Sequence, residues 1–499
     1  MQDEPEVLYP DPGLWTKTSL IQLFYGIMVN LTSVTFGIAF SFSSVMMPQL
    51  SKVDPKITTT MTEETLIVSV LPFSTMIGNV ISGFLMDTYG RRMALILCEV
   101  PMIIGWILIG FATSPAELIF GRLIVGLGCG MGMIPPRAYV TEISLPNMRG
   151  VNGSFPSVGI ALGVILQAIF GAFMKWPSLS FLNGLYSIIL LFLGFIFPET
   201  PYFLLMTDTP EKTEMTLRKF RSIHYDVEAE MDTLLEFKSD NRLRRLRTKE
   251  QLQLLFTKSA CKPFCTIVSY IIISQLVGVN LVLMWTIEML HESKSSINPD
   301  AGNIALGFAR LIVGIGTSFL MLKVGRRFLA LVSSLGVFGA FLLFGIFIIY
   351  NTQPSAIPFV FFFAYIAFSS IGYYPLPMLL IFELSPLQIR GIVGGLGIAT
   401  LNGTTFAVNA FYLPVRSLIG FANVILAFSI LSLLGTFYVY FYLPETKDLT
   451  LQEIEEFYNE RRPTLTSQRR IRSMQALSRQ LGSAESRSLM RIKSKSFAR

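Results

Sequence analysis

Gly83-Phe84-Leu85-Met86-Asp87-Thr88-Tyr89-Gly90-Arg91-Arg92 ends on a Gly-Arg-Arg triplet that returns at Gly325-Arg326-Arg327. It is the first of three short polar motifs that occur twice in the same order. Glu142-Ile143-Ser144 with Arg149-Gly150 comes back as Glu383-Leu384-Ser385 with Arg390-Gly391, and Pro198-Glu199-Thr200 comes back as Pro444-Glu445-Thr446. The members of each pair lie about 240 residues apart, the self-similarity of a duplicated chain. The segments between them are almost purely apolar, so the motifs are expected at the water-facing ends of two homologous helix bundles.

Composition agrees. The 499 residues are 52% apolar and 15% charged, whereas soluble domains carry about 25% charged residues. Apolar runs of about 20 residues, enough for a hydrocarbon core of roughly 30 Å, start near Leu20, Leu66, Met93, Glu117, Val151 and Ser180, and again near Phe264, Ala301, Phe328, Pro358, Ile392 and Ser417. The fold class is therefore an all-α membrane protein of twelve transmembrane helices in two six-helix halves. The divisions expected are an N-terminal segment 1–19, a first bundle 20–205, a helical linker 206–262, a second bundle 263–443 and a basic tail 444–499.

Lys and Arg resist translocation. Threading twelve spans puts Arg91, Arg92, Arg149, the linker, Lys323, Arg326, Arg327, Arg390 and the tail on one side, expected to be cytoplasmic together with both termini. The first residues carry Asp3, Glu4, Glu6 and Asp11 rather than a basic n-region, so the first helix is expected to be its own insertion signal. The net charge of +7 sits mostly in the tail and speaks to anionic headgroups at a cell membrane rather than to nucleic acid. Cys98, Cys129, Cys261 and Cys265 avoid the external loops, so no disulfide is expected. His224 and His291 are the only histidines; far apart and outside any metal or nucleophile pattern, they give no sign of an enzyme, and no cofactor is implied.

Gly83…Asp87…Gly90-Arg91-Arg92, Gly121-Arg122, Glu142…Arg149-Gly150, Pro198-Glu199-Thr200, Gln275…Gly278-Val279-Asn280, Glu383…Arg390-Gly391 and Pro444-Glu445-Thr446-Lys447 together resemble the sugar porter family of the major facilitator superfamily, over residues 20–457. Phe155-Pro156-Ser157 and Leu376-Pro377…Glu383-Leu384 are most similar to its insect facilitative trehalose transporters. The resemblance implies a facilitative carrier of a sugar, trehalose or a hexose, working by alternating access. It also implies that Asp87, Arg91, Arg92, Arg122, Glu142, Arg149, Glu199, Arg326, Arg327, Glu383, Arg390 and Glu445 form a latch, with bridges from half to half closing the cytoplasmic side. Leu322 stands where the second half of the family has the counterpart of Asp87.

A sugar site needs neutral hydrogen-bonding side chains in a central cavity. Gln275 and Asn280 in the seventh span suit this. Five positions apart, they share a face only if the helix unwinds, and Gly278 marks the place. Asn402 in the eleventh span is a third candidate. Matched to the family, Ser157 and Ser274 replace glutamines, Met378 a tryptophan and Arg310 an asparagine. Arg310 lies about 18 Å up its helix from Leu322 and reads in three ways: a structural pair, a donor fork to hydroxyls, or a counter-charge for an organic anion. Proton-linked members carry a carboxylate in the first helix. Leu20 to Met46 contains none, and Ala39 takes its place, which favours uncoupled transport. Glu99 is expected near the inner boundary beside a basic neighbour. Gly126, Gly128, Gly130 and Gly132 suit close helix packing, whereas Gly372 with Pro375 and Pro377 suits a gate in the tenth span.

The linker has helical spacing in Met215, Leu217, Phe220 and in Val227, Met231, Leu234, Leu235. The tail after Tyr458 is rich in Arg and Ser, and Ser473 in Arg469-Arg470-Ile471-Arg472-Ser473 suits a basic-directed kinase. The rival to a sugar carrier is a non-transporting nutrient sensor, or a carrier of another small solute such as an organic anion.

Overall fold

The computed structural model describes residues 16–52, 57–145, 152–153, 155–222, 225–239, 258–350, 353–384 and 390–446. Arg149, Ser473 and the basic tail lie outside them, as do the side chains of Leu322 and Arg390. The first half holds α1 (Lys17–Lys52), α2 (Met61–Tyr89), α3 (Arg91–Phe111, with a turn at Cys98), α4 (Pro115–Ile143), α5 (Phe155–Phe173) and α6 (Trp176–Gly194). Short helices α7 (Pro201–Thr207), α8 (Pro210–Lys219) and α9 (Val227–Ser239) follow. The second half holds α10 (Lys258–Leu276) and α11 (Val279–Glu292), which together make one broken span, then α12 (Pro299–Lys323), α13 (Arg326–Tyr350), the broken pair α14 (Ile357–Ile371) and α15 (Leu376–Leu384), α16 (Arg390–Ile419) and α17 (Phe421–Tyr442).

Eleven spans among the described residues are long and apolar enough to cross a bilayer. The twelfth long helix, α16, has 30 residues and a richer content of Gly, Thr and Asn. The sequence places the last span from about Ser417; instead α16 runs through Pro414 to Ile419, and α17 begins at Phe421.

The halves meet with the symmetry of the repeat. The second helix of the first half, α2, packs on the fifth of the other, α16, and reciprocally α12 packs on α5. The two opening spans, α1 and α11, face one another. Within the first half, α2 and α4 come so close that a Cβ on Gly130 would stand 2.2 Å from the Thr75 carbonyl, which is the packing role read from that glycine run. Many buried hydroxyls are satisfied by their own helices, as where Thr75 donates to the Leu71 carbonyl at 2.8 Å, and others reach a neighbour, as where Ser82 donates to the Met131 carbonyl at 2.8 Å. Large apolar side chains such as Phe84, Phe111, Phe192, Ile312, Phe319 and Phe441 stay exposed on the outside, where acyl chains cover them.

The linker helices dock on the first half. Leu205, Leu217, Val227, Met231 and Leu234 form their core, and Phe220 inserts beside Val29, Leu95 and Tyr139. Met215, expected on the apolar face, is instead 68% exposed. Arg221 pairs with Glu230 at 2.7 Å and donates to the Ile143 carbonyl at the end of α4 at 2.9 Å. The Ser222 amide donates to Thr18 Oγ1 at 3.0 Å.

Candidate functional site

The repeated motifs build the same knot twice. In the first half, Arg91 donates from Nε to Glu142 Oε1 at 2.8 Å, with Nη2 at 2.7 Å from the same oxygen, while Glu142 Oε2 accepts from the Thr200 hydroxyl at 2.5 Å. In the second half, Arg326 donates to Glu383 Oε1 at 3.0 Å, and Glu383 Oε2 accepts from the Thr446 hydroxyl at 2.6 Å. A helix starting at Gly-Arg-Arg has free amides in its first turn. Glu199 accepts from the amides of Arg91 and Arg92, both at 3.1 Å, and Glu445 from those of Arg326 and Arg327 at 2.8 and 3.1 Å. Burial pushes the Glu199 carboxyl above its ordinary range, against the amides of Thr200, Arg92 and Arg91, which pull it down. Gly90, at φ 93, is where the chain turns into this cap, and a Cβ there would meet Glu199 Oε2 at 2.3 Å.

Each of these bonds joins elements of one half, whereas Arg149 and the side chain of Arg390, expected in bridges from half to half, lie outside the described residues. The knots clamp the ends of α2, α3, α4 and α6 in one bundle and their counterparts in the other. Arg92 follows the rule, donating to the Phe195 carbonyl at 2.6 Å, and Arg327 donates to that of Tyr440. Asp87 lies in the field of Glu142 in the same knot.

Arg122 does not belong to this end at all. It is fully buried early in α4, some 30 Å along the helix from Glu142 at 1.5 Å per residue. There it donates to the carbonyls of Ala39 at 2.8 Å and Ile67 at 3.3 Å, and to the Ser43 hydroxyl. It thus ties α1, α2 and α4 together through backbone, at the place where no carboxylate stands. Arg122→Lys, too short to reach three acceptors, is expected to cost about 2 kcal/mol from buried groups left unsatisfied. A thermal midpoint in detergent equal to that of the parent chain would show that the guanidinium contributes no net stability. Glu99 also departs from expectation: it is buried beside Cys98, whose thiol lies 3.9 Å away, with no basic partner among the described residues.

Midway between the two ends lies a polar group. Gly278 adopts φ 86, ψ 20 and separates α10 from α11, the unwinding read from the sequence. It brings Gln275 and Asn280 together: Asn280 Nδ2 donates to Gln275 Oε1 at 2.9 Å. Ser274 accepts from Gln275 Nε2 at 3.2 Å. Thr405 of α16, missed in the sequence, completes the group by donating to Gln275 Oε1 at 3.1 Å. One turn on, Asn409 accepts from Trp285 Nε1 at 3.0 Å. Asn402 lies across from Met133 of the other half, its Oδ1 buried without a partner. Ser157, in the first turn of α5, shares no hydrogen bond with this group. Tyr365 of α14 donates to the Val277 carbonyl at 3.3 Å, linking the broken tenth span to the broken seventh. Arg310 is buried beside Tyr374, which sits on the break between α14 and α15.

At the end opposite the knots, Arg416 of α16 pairs with Glu288 at 2.7 Å and Glu292 at 3.2 Å. A cleft of about 580 Å³ opens there between the halves, lined by Gln49, Glu64 and Lys175 on one side and Glu288, His291 and Asp300 on the other. The sequence reading missed this cluster, although Glu288 and Glu292 are spaced to share one helix face.

Two six-helix bundles meet around a neutral polar group at broken helices, the architecture of a multi-pass membrane protein. The Sugar (and other) transporter family matches residues 18–458, and the chain belongs to it. Facilitated trehalose transporter Tret1 of Drosophila grimshawi is 28% identical over 451 residues, covering 89% of this chain and 48% of the relative. The same-named protein of Apis mellifera ligustica is 26% identical over 441 residues, covering 87% of this chain and 88% of the relative. The chain thus spans about half the length of the Drosophila relative. Among solved structures, the proton:xylose symporter XylE bound to 6-bromo-6-deoxy-D-glucose superposes with a TM-score of 0.74 at 20% identity, over 88% of this chain and 100% of that one. Inward-open XylE from E. coli gives 0.72 at 19% identity, over 87% and 99%. These structures share the fold.

Proposed function

We propose that the chain is a facilitative sugar carrier that works by alternating access, with trehalose and hexoses as first candidates. The observation that carries this reading is the Gln275, Asn280 and Thr405 group, neutral donors and acceptors at a helix break between the bundles. Such groups exchange hydrogen bonds with sugar hydroxyls without burying a charge. Relatives named facilitated trehalose transporters support the substrate class. Uncoupled transport is supported by α1, where Ala39 offers Arg122 a backbone carbonyl and no titratable group. The knot end is the cytoplasmic face of a cell membrane, since the basic linker and tail belong there, and the tail meets anionic headgroups.

Counterflow in proteoliposomes tests this. Labelled trehalose or glucose is expected to accumulate transiently against unlabelled sugar with no pH gradient. Absence of accumulation for neutral and acidic sugars alike would overturn the carrier reading and favour a sensor.

A further inference from the structure

Arg310 lies near the middle of the 25-residue helix α12 and is 3% exposed. Its Nη1 is sealed from solvent without an acceptor, and its guanidinium has no ion pair or hydrogen bond among the described residues. The paired acids are engaged elsewhere, Glu142 and Glu383 with the knot arginines and Glu288 and Glu292 with Arg416, and Glu99 stands beside Cys98 in α3. What Arg310 does have is the ring of Tyr374, 5.1 Å from its guanidinium carbon. A ring face attracts a cation but offers no acceptor for the planar fork of N–H donors.

A second arginine faces the same tyrosine from the other half. Arg137 of α4 lies within electrostatic range of Tyr374, lines a small cavity with Thr32, Ser33, Thr35 and Met133, and likewise has no ion pair among the described residues. Met133, one turn before Arg137, touches Asn402 of the second half. Tyr374 itself belongs to the four-residue break in the tenth span, where its amide reaches back to the Ser369 carbonyl at 3.0 Å. Two like charges, one from each bundle, therefore lie near the break in the tenth span, the span whose Tyr365 reaches the Val277 carbonyl two residues from Gln275. An unpaired charge in mid-span, as at Arg310, is costly and needs a counter-charge, and a guanidinium fork matches a carboxylate in two parallel bonds.

We propose that the transported solute is itself an acid: a hydroxylated carboxylate of the aldonate or uronate class, with its carboxylate between Arg310 and Arg137 and its hydroxyls on Gln275 and Asn280. This rests on reading the Gln275 group as the transport path. Empty, the two arginines repel across the interface. Filled, the anion draws them to one point and favours closure of the tenth span at Tyr374.

The test uses the full chain in proteoliposomes. Labelled glucuronate is expected to exchange about tenfold faster than glucose, and an inside-positive potassium diffusion potential should raise its net uptake, because a lone anion carries charge. On the unaltered chain, excess unlabelled glucuronate should block that exchange and its neutral amide, glucuronamide, should not, a comparison that needs no variant to fold. Arg310→Gln and Arg137→Gln should each lower glucuronate exchange about tenfold, with Arg310→Lys retaining more. Exchange of neutral sugar without glucuronate, or equal competition by glucuronate and glucuronamide, overturns the proposal and leaves the carrier reading standing. Silence for every solute overturns both.

Discussion

Glu142→Gln and Glu383→Gln are each expected to slow solute exchange by about tenfold while leaving the amount of carrier in the membrane unchanged. Each carboxylate holds an arginine through one oxygen and a threonine hydroxyl through the other. An amide keeps an acceptor for the threonine but turns a charge-assisted pair into a neutral contact with a stranded guanidinium. Exposed ion pairs contribute about 0–1 kcal/mol. These pairs are tighter, with both partners less than a quarter exposed, and a charge-assisted bond of this kind is worth about 1.5–3 kcal/mol. At about 1.4 kcal/mol per decade, removing one suffices for a tenfold shift in a conformational equilibrium. Since the Arg91–Glu142 and Arg326–Glu383 bonds each lie within one half, the effect comes from loosening a bundle that must move as a rigid unit. Counterflow rates in matched proteoliposomes check it. Unchanged rates for both variants would reduce the knots to static clamps with no part in exchange.

The knots were legible as motifs because charged residues stand out in a chain that is otherwise apolar. Their bonding was not, since Arg91 meets Glu142 across 51 positions and Glu199 caps Arg91 across 108, and sequence gives spacing rather than partners. Two symmetric sets of opposite charges suggested bridges between halves, and the bonds described are one local solution repeated in each half. At the opposite end, helices are capped from nearby: Thr60 accepts from the Glu63 amide, Ser114 from that of Glu117 and Asn298 from that of Asp300. Those caps can be read from sequence because donor and acceptor lie within three residues. Arg122 was grouped with the knots by its place in the family pattern, although its distance of seven positions from Pro115, at the start of α4, argues for the far end.

In the central group, the break at Gly278 could be read because glycine alone explains how positions five apart converge. Thr405 could not. Thr404 beside it merely donates to the Thr400 carbonyl of its own helix at 2.8 Å, as most buried hydroxyls in spans do. Thr405 makes the same kind of bond to Leu401 while also reaching Gln275. Nothing in composition separates the two; only the rotation of α16 against α10 does.

That geometry sets the size of the second large effect. Gln275 Oε1 accepts from both Asn280 and Thr405, so Gln275→Ala removes one solute partner and the acceptor those two share, leaving Asn280 its longer 3.3 Å bond to Thr405 Oγ1 and Thr405 its bond to the Leu401 carbonyl. A buried group that loses its best partner costs about 1–3 kcal/mol, and a site built to hydrogen-bond hydroxyls loses affinity steeply when one contact is missing. The half-saturation concentration for exchange is therefore expected to rise about tenfold or more, with the maximal rate less affected because the knots and hinges are untouched. Gly278→Ala separates contact from conformation. It keeps Gln275 but forces an alanine to φ 86, at roughly 1–2 kcal/mol, with its Cβ 3.2 Å from the Phe428 ring. If the break presents Gln275 and Asn280 to the solute, both variants weaken apparent affinity. If Gln275→Ala leaves the saturation curve where it was while Gly278→Ala moves it, the break matters for motion and Gln275 is no part of the solute's contacts.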